Sequence, residues 1–133
     1  MRRARGERGT ATLELAIIAP ALMLLVLGIV QFGLWYHAEH VTKTAAMEAA
    51  RTAAAENGQV ASGEQRALEV LDAGLGSAVD DPTVRVSIGS ETARVQINAR
   101  MRGLLPIPGL SSLRLSAEAT AYRERFRPAG EGG

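Results

Sequence analysis

The sequence predicts an α+β protein with a long N-terminal transmembrane helix that extends outside the membrane, a short second helix and a three-stranded antiparallel sheet. The first observation behind this prediction is a 22-residue apolar run from Leu15 to Tyr36, broken only by Gln31. The second is a change after Pro82 from helical spacing of apolar residues to strict alternation. With 133 residues, the chain has room for one compact domain besides the membrane helix.

The length and the flanking charges of the apolar run predict how it crosses the membrane. At about 1.5 Å per residue it forms a helix of roughly 33 Å, which exceeds a hydrocarbon core of about 30 Å. Arginines stand at positions 2, 3, 5 and 8, whereas segment 37–43 carries one lysine and one glutamate. The positive-inside rule therefore predicts a single-pass protein of the cytoplasmic membrane, with its N-terminus inside and its C-terminus outside. We expect Trp35 and Tyr36 to be aromatic anchors at the outer interface.

The helix is expected to continue beyond the membrane as one rod from about Leu13 to Glu56. No proline or glycine occurs between residues 37 and 56, and alanine, the best helix former, dominates there. Alanines at four-residue spacing make a face of small side chains onto which another helix or a sheet could pack closely. Asn57-Gly58 predicts the end of this helix.

A second helix and three strands are predicted in the remainder of the chain. Ser62 and Gln65 form an S-x-x-Q pattern typical of a capping box at a helix start. Apolar residues then alternate with polar ones in segments 84–88, 93–102 and 113–121. The first two strands form a hairpin, and a proline-containing loop precedes the third. A sheet with one apolar face must bury it, and the alanine-rich helix is the available cover.

These elements divide the chain into four predicted regions. They are a basic cytoplasmic leader (1–12), a transmembrane helix (13–36), an extracytoplasmic α+β domain (37–126) and a flexible tail (127–133). Several arginines fall on the polar face of the predicted sheet, namely Arg94, Arg100, Arg102 and Arg114. They suit either a solvated surface or a surface that contacts acidic partners or anionic headgroups.

Composition argues against several classes of function. The net charge of +1 argues against a nucleic-acid partner, and the absence of cysteine removes disulfides and thiolate chemistry. His37 and His40 stand three residues apart, but two ligands do not make a metal site. No catalytic motif is present. We therefore expect no enzyme activity, no cofactor and no small-molecule substrate.

The boundary between the basic leader and the apolar run carries the most informative local motif. Gly9 is followed by Thr10 and, five residues after the glycine, by Glu14. A carboxylate beside a spanning helix is costly to place in hydrocarbon, so it needs a partner. If a peptidase cut after Gly9, the new α-ammonium of Thr10 could be neutralised by Glu14 of a neighbouring subunit. In the alternative interpretation, the Glu14 side chain extends to the cytoplasmic interface, and Gly9 is part of a flexible linker.

From Arg8 to about Ala50 the sequence resembles the TadE-like pseudopilins of the tight-adherence (Tad, Flp) pilus assembly system. Gly9, Glu14 and Pro20 occupy the places of the family's glycine, glutamate and early helix proline. The resemblance implies a type IV prepilin-like subunit, cleaved after Gly9 by a prepilin peptidase and using Glu14 for recognition or registry. One departure is Leu15, where the family commonly has an aromatic residue, and cleavage stays open. Pro20 could kink the helix.

The resulting hypothesis is a minor pilin or pseudopilin-like component of a tight-adherence pilus assembly or secretion apparatus, with a pilin-like head on a helical spine. It would act by helix packing in the membrane, and a surface pilus is a second location for it. Its expected partners are membrane lipid, other pilins or pilus-assembly membrane proteins, and a prepilin peptidase. The alternative is a single-pass, membrane-anchored extracytoplasmic binding module unrelated to pili. A soluble protein secreted by a cleaved leader is disfavoured, since the apolar run is longer than such leaders have.

Overall fold

The computed structural model describes residues 4–55 and 57–123, with side chains from Gly9 onward, and it confirms the predicted α+β layout. The predicted tail 127–133 and the first three residues of the leader lie outside the described residues. The chain divides into two compact units, Met1–Leu34 and Trp35–Gly133. Its elements are α1 (Ala4–Ala54), α2 (Val60–Leu75), a short 3-10 turn (Gly76–Ala78), β1 (Val79–Ile88), β2 (Thr92–Arg102) and β3 (Ser112–Tyr122).

Helix α1 begins about nine residues earlier than the sequence predicted. The predicted rod started near Leu13, whereas α1 starts at Ala4 and continues through Gly9 and Pro20. No proline lies between residues 4 and 19, and a glycine inside a helix costs only about 1 kcal/mol relative to alanine. The helix ends at Ala54, close to the predicted stop at Asn57-Gly58.

Helix α2 also begins before its predicted start. The sequence placed Ser62 at the cap, but the helix starts at Val60, and the Ser62 hydroxyl accepts a hydrogen bond from the Gln59 amide at 3.1 Å. Ser62 therefore caps the helix from inside its first turn. Gln65 instead donates to Glu69 at 3.1 Å on the exposed side. Gly76, at φ +51°, follows the last residue of the helix and takes a backbone conformation that favours glycine.

The three strands form one antiparallel sheet in the order β1-β2-β3. Strand β1 starts five residues before the predicted alternation, and its register with β2 shifts between Asp80 and Thr83. A bulge at this point explains why alternation failed to predict the first residues of β1. Strand β2 alternates between buried and exposed residues throughout, as predicted.

The apolar face of the sheet is covered by small side chains from the outer part of α1. The central cluster joins Ala46, Ala49 and Ala50 of α1 to Val95 and Ile97 of β2. Helix α2 contributes Ala67 and Leu71 to the same cluster, all of them buried. Alanine has no side chain beyond Cβ, so helix and sheet backbones can approach closely. The predicted helical cover of the sheet is therefore confirmed.

We predict that Ala49→Leu destabilises the outer domain. The Ala49 side chain is fully buried against the sheet, so three added carbon atoms have no space, and overpacking of this kind costs about 1–3 kcal/mol. Ala73→Leu on the exposed side of α2 is the matched control and should change stability by less than about 0.5 kcal/mol. Denaturant unfolding of the detergent-solubilised chain measures both. Equal effects of the two substitutions would contradict the packing described.

Candidate functional site in the N-terminal helix

The first unit is a helix segment whose large apolar side chains face outward. Within the described part of the chain, α1 from Gly9 is the one helix long and apolar enough to cross a membrane. Leu13, Ile17 and Met23 each expose about two thirds of their surface (68%, 70% and 68%). An uncovered apolar surface of this extent requires a lipid or protein environment.

The residues of the leader motif all lie on the regular helix of this unit. Gly9 has open space around the position that a Cβ would take, and Glu14 is exposed. Thr10 and Glu14 are four residues apart, so they lie on the same side of the helix, separated by about one turn. Glu14 makes no ion pair with a described side chain. The structure thus presents a carboxylate at the surface of an apolar helix, where a neighbouring molecule can reach it.

Pro20 lies inside the helix, with regular α-helix on both sides. A proline there removes one backbone hydrogen bond, and membrane helices tolerate this when neighbouring groups compensate.

The two predicted aromatic anchors differ in their surroundings. Trp35 is half-buried and packs against a cluster in the outer unit that contains Ala38 and Met101. Tyr36 keeps 63% of its surface exposed. Of the two, Tyr36 has more of its ring available to a lipid interface, while part of the Trp35 ring is committed to packing.

Comparison with known families bears directly on this helix. The sequence model for TadE-like protein matches residues 9–51. This segment is TadE-like. The match confirms the resemblance drawn from Gly9, Glu14 and Pro20, and it spans about a third of the chain. No curated protein and no solved structure matches the chain.

The TadE-like segment begins at Gly9 and ends within α1, three residues before the helix does. It therefore contains the exposed apolar surface and most of the alanine face that covers the sheet. The sheet itself lies outside the match.

Beyond the TadE-like segment, the polar face of the sheet carries two groups of arginines. Arg102 binds Asp80 through two hydrogen bonds, Nε to Oδ2 at 2.7 Å and Nη2 to Oδ1 at 3.0 Å, and Arg94 approaches Glu118 at 3.4 Å. Arg100 and Arg114, by contrast, are directly opposite each other on β2 and β3. Of the four arginines predicted to lie on the polar face, Arg94 and Arg102 are thus paired with carboxylates of the same domain.

Asp80 is a residue that sequence analysis missed. It precedes the β-bulge, in a stretch that comes before the predicted alternation of β1. The hydrogen bonds from Arg102 hold the pKa of the Asp80 carboxyl below its ordinary value of 3.8. The same contact raises the pKa of Arg102. The strand register places Asp80 beside β2, within reach of Arg102. No pattern in the sequence indicates this pairing.

We predict a pH-dependent contribution of the Asp80–Arg102 pair to stability. Because the pKa of Asp80 is lower in the folded state, this contribution is present above the unfolded pKa of about 3.9 and is lost as the pH falls through the folded value. Asp80→Asn should therefore lower the free energy of unfolding at neutral pH, and the difference from the parent chain should vanish in acid.

A double-mutant cycle separates this pair from other acid effects. Asp80→Asn in an Arg102→Gln background should have little further effect at any pH, because the partner is already absent. An undiminished effect of Asp80→Asn in that background, measured by denaturant unfolding, would show that the pair is not its origin.

Proposed function

We propose that the protein is a minor pilin or pseudopilin-like component of a tight-adherence pilus assembly or secretion apparatus. It is anchored in the cytoplasmic membrane by α1, with the basic N-terminus inside and the α+β domain outside. The observation that carries the proposal is the TadE-like match, which begins at Gly9, includes Glu14 and lies on a helix that keeps its large apolar side chains uncovered. The protein acts by packing this helix among its neighbours, without catalysis and without a cofactor.

Glu14 supplies the specificity of that packing. A charged carboxylate well inside the hydrocarbon costs several kcal/mol unless it meets a cation. Cleavage by a prepilin peptidase after Gly9 creates that cation as the α-ammonium of Thr10. Pairing of the Glu14 carboxylate with the Thr10 ammonium of a neighbouring subunit fixes the axial register between two helices. The apolar surfaces alone would let the helices slide.

The partners follow from the same surfaces. Lipid covers the exposed leucine, isoleucine and methionine side chains before assembly. Other pilins or pilus-assembly membrane proteins then replace lipid along part of the helix, and the prepilin peptidase acts on the Gly9–Thr10 bond. Neither nucleic acid nor a small-molecule substrate has a role in this proposal.

A second candidate function is a membrane-anchored binding module in which α1 is only a tether. Its support is the end of the TadE-like match at residue 51, which leaves the sheet and its arginines outside the matched segment. In that case neither Glu14 nor Gly9 has a specific function. The two proposals therefore differ at the N-terminal motif.

We predict that Glu14→Lys abolishes pilus assembly while leaving membrane insertion intact. The substitution replaces attraction to the Thr10 ammonium with repulsion in a medium of low dielectric constant, so we expect a loss of at least about tenfold in assembled pili. Insertion persists because the new lysine joins the cationic side of the helix and can extend to the interface. Pilus counts and membrane fractionation in the native bacterium measure the two effects.

Glu91→Lys is the matched control for this substitution. It makes the same charge change in the exposed turn between β1 and β2, far along the chain from the helix motif. We expect normal piliation in this variant. Normal piliation in both variants would favour the tether, because a tether has no use for a carboxylate at position 14.

A further inference from the structure

The loop between β2 and β3 exposes three large apolar side chains within seven residues. Leu104, Ile107 and Leu110 keep 52%, 44% and 41% of their surface exposed. No charged residue occurs from Gly103 to Leu113. Elsewhere in the described outer unit, large exposed apolar residues are spread singly over several elements, as is usual for a protein surface. A local group of this kind indicates contact with an apolar surface.

The position of this loop within the outer unit is fixed by the packing of the strands that flank it. Met101, just before the loop, and Leu113, just after it, pack with Ala38 and the half-buried Trp35. At the other end of the sheet, Ala93 packs with the last residues of α1. The loop therefore lies at the end of the domain where the chain enters from the apolar run. The β1–β2 turn lies at the opposite end.

Internal hydrogen bonds and two prolines reduce the number of backbone donors in the loop that need water. The Gly103 amide donates to the Ser111 carbonyl at 2.9 Å, and the Ile107 carbonyl accepts from Leu110 and Ser111 at 2.9 and 3.0 Å. Pro108 and Gly109, the latter at φ +87°, are the central residues of a turn with type II character. Prolines 106 and 108 have no N–H group. Transfer of this loop out of water consequently strands fewer polar groups than an ordinary loop would.

Gly103 is needed for this closed shape. A Cβ at this position would overlap the carbonyl oxygen of Leu110. The two ends of the loop are thus held together, and its apolar side chains form a single tip.

A row of positive charge lies just above the tip. Arg100 and Arg114 are opposite each other, two residues from the ends of their strands, which is a distance of about 7 Å along the strand. Neither makes an ion pair with a described side chain, whereas Arg102 is bound to Asp80. The loop thus presents an apolar tip, and arginines lie next to it on the side away from the tip. This order matches a membrane interface, where anionic headgroups lie between water and the acyl chains.

We propose that the loop Gly103–Ser111 inserts its tip into the interfacial region of the same membrane that α1 spans. The occupant of this surface is lipid, and the insertion fixes the outer domain against the membrane surface. The proposal rests on the membrane anchoring stated above and adds a second contact point to it. Insertion is limited to the interface, because irregular backbone exposed to lipid is not tolerated in the hydrocarbon core.

The test uses fluorescent probes on single cysteines, which are unique labels because the chain has no cysteine of its own. The full chain is placed in nanodiscs of equal phosphatidylcholine and phosphatidylglycerol, with an environment-sensitive dye at one of three positions. Ile107→Cys reports the loop, Leu25→Cys reports the anchor, and Glu91→Cys reports the opposite end of the sheet. Nitroxide-bearing lipids measure depth in the membrane, and aqueous iodide measures access to water.

We expect lipid quenching at positions 25 and 107 and iodide quenching alone at position 91. The probe at position 107 should lie at an interfacial depth of about 5–10 Å, shallower than the probe at position 25. Leu110→Cys provides a second loop probe, so that the result does not depend on how the loop tolerates one substitution. Far-UV circular dichroism shows whether each labelled chain is folded.

Three other quenching patterns would overturn the loop proposal or the membrane anchor. If position 25 is quenched by lipid but positions 107 and 110 behave like 91, the loop proposal is wrong and the anchor stands. If the loop probes are shielded from both quenchers, protein rather than lipid covers the loop, and the proposal is again wrong. If position 25 escapes lipid quenching, the anchor itself fails, and the proposed function fails with it.

Discussion

The structure depends on one packing constraint, which is that a three-stranded sheet with a single apolar face must be covered. The cover is the alanine face of α1, which places Ala46, Ala49 and Ala50 directly on β2. Side chains this small let the helix lie close to the strands, and α2 closes the remaining side. The same helix also carries the apolar run, so one element supplies both the cover of the sheet and the candidate membrane span.

The composition of α1 changes where its environment changes. Leucine, isoleucine, valine and methionine dominate its first part and face outward, whereas alanines dominate its last part and are buried. Large side chains suit a surface that lipid or neighbouring helices will cover, and small ones suit close contact with a sheet. The TadE-like match includes both parts of the helix. The Gly9 and Glu14 motif and the spine of the domain therefore belong to one continuous segment.

Much of this fold could be predicted from the sequence, because its periodicities are strong. The alternation in β2 and the uninterrupted helical stretch before Asn57 each have a single structural solution. The predictions were wrong where local chemistry depends on a tertiary contact. Ser62 was taken for the cap although it binds Gln59 from the first turn, and alternation was predicted only from residue 84 although the pairing of β1 with β2 begins at Val79.

The candidate site rests on a different kind of signal and stays a prediction. Gly9 and Glu14 are recognised by the kind of residue and by its distance from the apolar run, and neither feature requires a fold. The apolar loop could not be found in this way. Its sequence predicted only a loop. Its significance comes from lying at the same end of the domain as Trp35, which follows from the packing of the flanking strands.

The central claim is that α1 acts as a pilin-type helix, released from its basic leader and packed among others. Intact-mass spectrometry of the protein recovered from host membranes tests this claim most directly, because it reads the true N-terminus. The account predicts a chain that begins at Thr10 and lacks the first nine residues. A membrane-bound chain that still begins at Met1 would contradict it, since Glu14 would then have no α-ammonium to pair with.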